Sequence, residues 1–303
     1  MGVLPLIAVS YLCGASPALI SASNYSNKWA GVRGVNYVPS YSRNPVQTWM
    51  DYNKSTVERE LGYAKSIGMN TVRVFMSFFV WYADAELYLS RYDHFVASCA
   101  ALHIRPLVVL FDDDFFEVPG VYKPEQIASY LRTGAYRSSK WMANPGMYIL
   151  EDDAKAGWTL CNDYISAMVG GPRANDSRIL GYDVMNEPHR SGNWSGGLPV
   201  FIQNAFEQVG NHTTVEYTID NYSKMPADTE SFERGLSWHN YWEYGHWQSC
   251  KTNAARICNS QQEVGTKYFS KGRSENKPVL VSEIGQFDCC KLSFHRILSV
   301  KPL

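Results

Sequence analysis

The alternation of apolar, strand-like runs with helical patterns is the feature that most limits how this chain can fold. Runs such as TVRVF (71–75) and RPLVVLF (105–111) are apolar without a period of two, which is typical of strands buried on both faces. Strands are predicted at 32–39, 71–78, 105–112, 178–185, 213–219, 236–242 and 278–284. Helices are predicted at 55–69, 87–103, 152–170, 199–211 and 261–271, with Ser55 as the N-cap of the first. This order predicts a parallel sheet covered by helices.

Two folds suit such a sheet, the doubly wound sheet and the (β/α)8 barrel. The first strand (RGVNYVPS, 33–40) is not followed by a turn of the GxGxxG type, which argues against a nucleotide-dependent oxidoreductase. A barrel takes about 250 residues, and 280 remain if residues 1–23 are removed from the 303. We therefore predict an α/β fold in which residues 24–303 form a single TIM (β/α)8-type barrel domain.

The length of the last segment leads to a second expectation about this barrel. Eighteen residues follow Gly285, and they show neither a clear strand pattern nor a long helical one. We therefore expect strand 8 and its helix to be missing at the C-terminus. The edges of the first and seventh strands would then stay unpaired, which is a liability for a sheet.

The N-terminal segment indicates export. Residues 1–23 carry no charged side chain and pass from apolar to small and polar, as a secretory signal peptide does. Six Asn-X-Ser/Thr sequons occur, at Asn24, Asn53, Asn175, Asn193, Asn211 and Asn221. The sequence therefore predicts a secreted glycoprotein with no membrane association after cleavage of the signal.

Cysteine usage agrees with an oxidising compartment. Without Cys13 of the predicted signal, an even number remains: Cys99, Cys161, Cys250, Cys258, Cys289 and Cys290. Such a set suits disulfides, with Cys250 and Cys258 as the best pair, and free buried thiols are the alternative. Neither a Cys-X2-Cys pair nor a His-X3-His spacing is present, so no zinc site is expected.

The charge balance excludes one class of partner. The 28 basic and 29 acidic residues give a net charge of -1, whereas binding of nucleic acid by bulk charge usually needs a basic excess. We expect the protein to be a monomer.

Aromatic residues make up 14% of the chain, and such rings line ligand clefts or fill the core.

Two glutamates follow or end predicted strands. Glu187 comes directly after the fourth strand, and Glu283 interrupts the seventh, where an uncompensated charge would cost several kcal/mol. In a barrel, the C-terminal ends of the strands carry the catalytic side chains. A pair of carboxylates around such a cleft is what glycoside cleavage needs: one protonates the leaving oxygen, and the other attacks the sugar carbon or activates water.

Four motifs in this order resemble those of a known family. They are NTVRVF (70–75), DVMNEPH (183–189), WHNYW (238–242) and VSEIG (281–285). Together they resemble the retaining glycoside hydrolases of clan A, in particular family 5 and its relatives (cellulases, mannanases and proteins labelled β-1,4-xylanases). The resemblance runs from about residue 33 to 287 and includes RGVNYVPS and VLFDDD (109–114).

The resemblance implies roles for residues at matching positions. Glu187 would be the acid/base and Glu283 the nucleophile of a double displacement that retains the anomeric configuration. Asn186 would bind the sugar 2-OH, and Tyr241 would donate a hydrogen bond to the nucleophile. Arg73 would lie beside the nucleophile and keep it ionised.

Four further positions are expected to support the substrate. Asn36 ends the first strand, and His239 would contact the substrate or the acid/base, with a structural histidine as the alternative. Among Asp112, Asp113 and Asp114 we expect Asp113 to be the substrate or supporting residue and the others to be structural. All three cannot face one metal ion, because side chains alternate along a strand. Trp141, like Trp194, Trp242 and Trp247, would stack on sugar or pack within a loop.

The predicted partner is a β-linked polysaccharide or oligosaccharide. No cofactor or metal is expected, because two carboxylates and water suffice for the chemistry. A carbohydrate-binding barrel that is truncated or impaired in catalysis is the alternative.

Overall fold

In a computed structural model of the protein, the described residues are 31–113, 124–139, 141–146, 157–188, 198–215, 217–218, 220–221, 236–241, 279–285 and 297–299. The predicted signal peptide, the predicted helix at 261–271 and the pair Cys250 and Cys258 lie outside these residues. Within the described ranges, none of the helices is both long and apolar enough to cross a membrane.

The described strands form one sheet. They are β1 (Arg33–Tyr37), β2 (Thr71–Phe75), β3 (Arg105–Asp112), β4 (Gly181–Asn186), β5 (Tyr217–Thr218), β6 (Asp220–Asn221), β7 (Leu236–Tyr241), β8 (Val279–Gly285) and β9 (Ile297–Ser299). Their order is β5-β4-β3-β2-β1-β9-β8-β7-β6. The pairs from β1 through β5 and from β6 through β8 are parallel.

The sheet curves until its two ends approach each other. β5 and β6 stand at opposite ends of the strand order, yet Thr218 and Asp220 are separated by one residue in the chain. Because consecutive Cα atoms are about 3.8 Å apart, these two ends lie close in space. The predicted parallel α/β barrel therefore matches the described sheet.

The edge of β1 differs from the prediction. β9 lies between β1 and β8 and pairs antiparallel with both. The expectation that the edges of the first and seventh predicted strands stay unpaired is therefore wrong. Because β9 is short and antiparallel, it does not test the expectation about a parallel eighth strand and its helix. β9 is only three residues long, which is too short for its pattern to be read from the sequence.

Seven helices connect the described strands. They are α1 (Pro45–Met50), α2 (Lys54–Ser66), α3 (Phe78–Ala83), α4 (Ala85–Ala101), α5 (Pro124–Arg132), α6 (Trp158–Val169) and α7 (Leu198–His212). Their apolar faces cover the outside of the sheet: the Phe111 ring of β3, for example, lies 5.6 Å from Tyr164 of α6 and 5.2 Å from Phe201 of α7. Burial of one such ring contributes about 2 kcal/mol to folding. The core thus lies between the sheet and these helices.

Two local predictions about helices are corrected. Asn53, and not Ser55, is the N-cap of α2, and its Oδ1 accepts a hydrogen bond of 2.9 Å from the Thr56 backbone N–H. Both residue types cap helices well, so the start of the helix decides between them. The helices α1 and α3 were not predicted, because six residues are too few to show a clear apolar period. The helix α5 was missed although its buried residues Ile127, Tyr130 and Leu131 have helical spacing.

Cys99 and Cys161 do not form disulfides. Both thiols are free and buried, on α4 and α6. Burial raises the pKa of each thiol above its ordinary value. For these two cysteines the alternative of buried free thiols holds, while the other four lie outside the described residues.

Candidate active site

A buried ion pair forms the base of the site. Arg73 of β2 donates from Nε and Nη2 to Oδ2 of Asp183 on β4, at 3.1 and 2.5 Å. Both side chains are fully buried, and the guanidinium also lies 4.8 Å from the centre of the Phe75 ring. A buried charge is tolerated only when it is paired in this way.

Sequence reasoning did not single out Asp183. It is a charged residue within the otherwise apolar strand GYDVMN. The argument that identified Glu283, a carboxylate that interrupts a buried strand, would also have found Asp183.

Asn186 is held in one orientation by two charged neighbours. Its Oδ1 accepts from Arg73 Nη2 at 2.8 Å, and its Nδ2 donates to Asp112 Oδ1 at 2.9 Å. An arginine only donates and a carboxylate only accepts, so an exchange of the amide oxygen and nitrogen is excluded. Asp183 and Asn186 are three positions apart on β4, and both contact the guanidinium of Arg73.

The acidic run after β3 joins the site through Asp112. Asp112, expected to be structural, accepts hydrogen bonds from Asn186 and also from Trp141 Nε1, the latter at 2.6 Å. Asp113 is fully buried, and its backbone N–H donates to the Asn186 carbonyl at 3.0 Å. Asp114 lies outside the described residues. The carboxylate that joins the predicted site residues is therefore that of Asp112, whereas a role of Asp113 toward substrate stays a prediction.

Trp141 is fixed from two sides. In addition to its bond to Asp112, its ring meets Phe75 edge to face, with the ring centres 5.2 Å apart. The side chain is partly buried, so part of it remains accessible to a ligand. A fixed, partly exposed indole is suited to bind a sugar face.

Asn144 ties the segment around Trp141 to the end of the sheet. Its backbone N–H and carbonyl pair with those of Asp112 at 2.7 and 2.8 Å. Its side-chain oxygen accepts from the Phe78 N–H at 2.8 Å, and its Nδ2 donates to the Leu110 carbonyl at 2.8 Å. The segment therefore has little freedom to move relative to β3.

Glu187 has an unusual backbone conformation. It follows β4 directly, is partly buried and has a φ of 40°. A residue other than glycine in this region costs on the order of 1–3 kcal/mol, and such residues cluster at functional sites. The bond from the Asp113 N–H to the Asn186 carbonyl helps to hold the chain in place just before it.

Asn36 completes the described half of the site. Its Oδ1 accepts from Arg73 Nη1 at 3.4 Å, a long hydrogen bond. The structure thus brings together Asn36, Arg73, Asn186 and Trp141, all predicted from sequence, with Asp112 and Asp183 between them.

The backbone of β7 and β8 places the other predicted residues on the opposite side of the barrel. In the parallel register, His239 pairs with Glu283 and Tyr241 with Gly285, after an irregularity between Trp238 and His239. β8 runs in the same direction as β4, and three strands separate them on one side of the ring. Glu187 directly follows β4, and Glu283 lies near the end of β8. The two glutamates are therefore at the same end of the barrel. The side chains of His239, Tyr241 and Glu283 lie outside the described residues, and their roles stay predictions.

Comparison with known proteins identifies the fold. No family model and no curated protein sequence matches the chain. Among solved structures, it is similar to an exo-beta-1,4-mannosidase from Opitutaceae bacterium strain TAV5, with a TM-score of 0.54 and 17% identity over 84% of this chain and 45% of that one. An endo-beta-1,4-mannanase from Thermotoga petrophila has a TM-score of 0.52 and 13% identity, over 78% of this chain and 59% of that one.

A third similar structure is covered more fully. The endo-1,4-beta-mannanase from Rhizomucor miehei has a TM-score of 0.51 and 15% identity, over 83% of this chain and 82% of that one. The chain spans less than two thirds of the length of the first two structures. At these identities the similarity concerns the fold. The chain shares the fold of these three solved structures, in agreement with the barrel that the sequence predicted.

Proposed function

We propose that the protein is a retaining glycoside hydrolase that cleaves the O-glycosidic bonds of a β-linked polysaccharide or oligosaccharide. The observation that carries the proposal is the position of Glu187: a partly buried residue with a strained backbone at the end of β4, directly after an asparagine held by Arg73 and Asp112. The strand order supports the proposal, since Glu283 lies in β8 at the same end of the barrel as Glu187.

The proposed reaction has two displacements. Glu187 carries its proton at the start and gives it to the leaving oxygen, while the Glu283 carboxylate attacks the anomeric carbon and forms a glycosyl-enzyme bond. In the second step Glu187 accepts a proton from water, and the water oxygen displaces Glu283 from the same carbon. Two inversions give net retention.

The hydrogen bonds of Asn186 support a role in both steps. Its amide nitrogen carries two N–H groups, and one of them donates to Asp112. We propose that the other donates to the sugar 2-OH. Because the amide is already oriented, little entropy is lost when this bond strengthens in the transition state.

Leaving-group dependence tests the two glutamates separately. A good leaving group such as dinitrophenolate departs without protonation, whereas a sugar oxygen needs an acid. Glu187→Ala is therefore expected to lose most activity on mannan, cellulose or xylan but to keep glycosylation of the enzyme by dinitrophenyl glycosides. Glu283→Ala is expected to lose both. Mannan is the first substrate to test, because two of the similar structures are endo-mannanases.

A matched carboxylate serves as the control. Glu86, in the first turn of α4, is remote in sequence from the site, and Glu86→Ala is expected to keep wild-type rates. The proposal fails if wild type releases no sugar from any of these substrates. If that inactive protein is still retarded in a polysaccharide affinity gel, the binding-only barrel is the better description.

We also propose that the protein is secreted and glycosylated. The sequons at Asn53, Asn175 and Asn211 support this, because all three asparagines are exposed. Protein recovered from the medium of a eukaryotic expression host should lose mass on treatment with an N-glycosidase. An unchanged mass would contradict glycosylation.

A further inference from the structure

The carboxylate of Asp112 joins two elements that are otherwise separate. Its Oδ1 accepts from the Asn186 amide at the end of β4, and its Oδ2 accepts from the Trp141 indole on the segment after α5. We infer that Asp112 is a positioning residue that holds Asn186 and Trp141 as one hydrogen-bonded unit. The inference rests on the proposed function for what those two residues do with substrate.

Burial separates this role from a catalytic one. Asp112 is 1% exposed, and both of its oxygens already accept a hydrogen bond. It therefore acts through its two donors and not by contact with a sugar. Its own backbone is fixed as well, by the paired bonds to Asn144.

The two donors approach from different sides and require two acceptor atoms. A carboxylate offers an acceptor at both positions, whereas an asparagine of the same shape offers one oxygen and one NH2 group. In Asp112→Asn, one of the contacts must therefore set a donor against a donor. The variant keeps the volume of the side chain and breaks the unit.

The consequence is coupling between two kinds of substrate contact. Asn186 is proposed to act in the transition state, so its displacement lowers kcat. Trp141 is proposed to bind the sugar face throughout, so its displacement raises KM. Loss of folded protein alone would lower kcat through the active fraction and leave KM unchanged.

A double-mutant cycle tests this coupling. Asp112→Asn is expected to lower kcat/KM by about 10- to 100-fold, with changes in both kcat and KM, as displacements on the scale of an ångström do. Trp141→Phe keeps an aromatic ring and loses the N–H, and it should raise KM by about 3- to 10-fold. In an Asp112→Ala background, where both acceptor oxygens are absent, the same change should alter KM by less than about twofold, because the Trp141 bond is already lost.

Asp93→Asn is the matched control. Asp93 pairs with Arg173 on the outside of the protein. The kinetic constants of the Asp93→Asn variant should therefore equal those of wild type. If Trp141→Phe raises KM by the same factor in both backgrounds, the inference is overturned while the proposed function stands. If wild type turns over no glycan, the proposed function fails. The hydrogen-bonded unit is then tested with the same variants by their free energies of unfolding. If the losses of the two single variants simply add in the double variant, the inference is overturned.

Discussion

The buried pair of Arg73 and Asp183 gives a prediction with a defined magnitude. Asp183→Asn keeps the shape of the side chain but removes the negative charge that balances Arg73. Both side chains are fully buried, so solvent cannot replace that charge. Breaking a buried pair by removal of one partner costs about 3–5 kcal/mol. Since domains are stable by about 5–15 kcal/mol, this loss would be a large share of the total.

Urea unfolding followed by circular dichroism measures the effect. With a slope of about 3 kcal/mol/M for a domain of this size, a loss of 4 kcal/mol moves the midpoint down by more than about 1 M. Asp93→Asn is the control for burial: Asp93 and Arg173 form a similar pair at 2.6 and 2.8 Å, but the Asp93 side chain is 50% exposed. Its loss should stay below about 1 kcal/mol.

A third variant separates charge from shape. Replacement of both partners by apolar residues, as in Arg73→Met with Asp183→Leu, removes the buried charge together with its partner. It should recover most of the stability lost in Asp183→Asn. Similar losses for Asp183→Asn and Asp93→Asn would refute the reasoning, because burial would then make no difference.

Three other outcomes are expected. Glu187→Gly should be about 1 kcal/mol more stable to urea than Glu187→Ala, because glycine adopts a φ of 40° without strain; equal stabilities would show that the position is not strained. Cys99 and Cys161 should resist labelling by dithionitrobenzoate at pH 8 until the protein unfolds, since burial raises the pKa of both thiols; rapid labelling in peptide maps of native protein would contradict this. The bonds from Arg137 lower the pKa of Asp51, so its contribution to stability is present above the unfolded pKa of about 3.9 and is lost as pH falls through the folded value. Urea titrations should show Asp51→Asn less stable than wild type at pH 7, with a difference that shrinks as pH falls below the unfolded pKa. A difference that stays constant as pH is lowered would exclude this cause.

Much of the site was predictable because strand ends are easy to recognise. A buried strand has a local signature, and the residue that follows it can be read directly from the sequence. Arg73, Asn186 and Trp141 were selected in this way or by the family resemblance, and they do lie together. The contacts of Asp112 with two partners on other elements could not be predicted, because no local pattern reveals them.

The cysteines show the same limit. An even number of cysteines favours disulfides in a secreted chain, but it carries no information on the distance between any two of them. Cys99 and Cys161 are each placed by a helix that packs its apolar face inward, and both thiols end in the core.

The sequence by itself determined the main succession of strands and helices, apart from α1, α3, α5 and β9, and the side chains at the strand ends, because these depend on periodicity over a few residues. Only the tertiary structure decided that Asp183 pairs with Arg73, 110 positions away, that the Asn186 amide has one orientation, and that β9 pairs antiparallel with β1. The physical reason is that each of these depends on which distant groups share a buried space. There, an unpaired charge or backbone N–H costs free energy that solvent cannot offset.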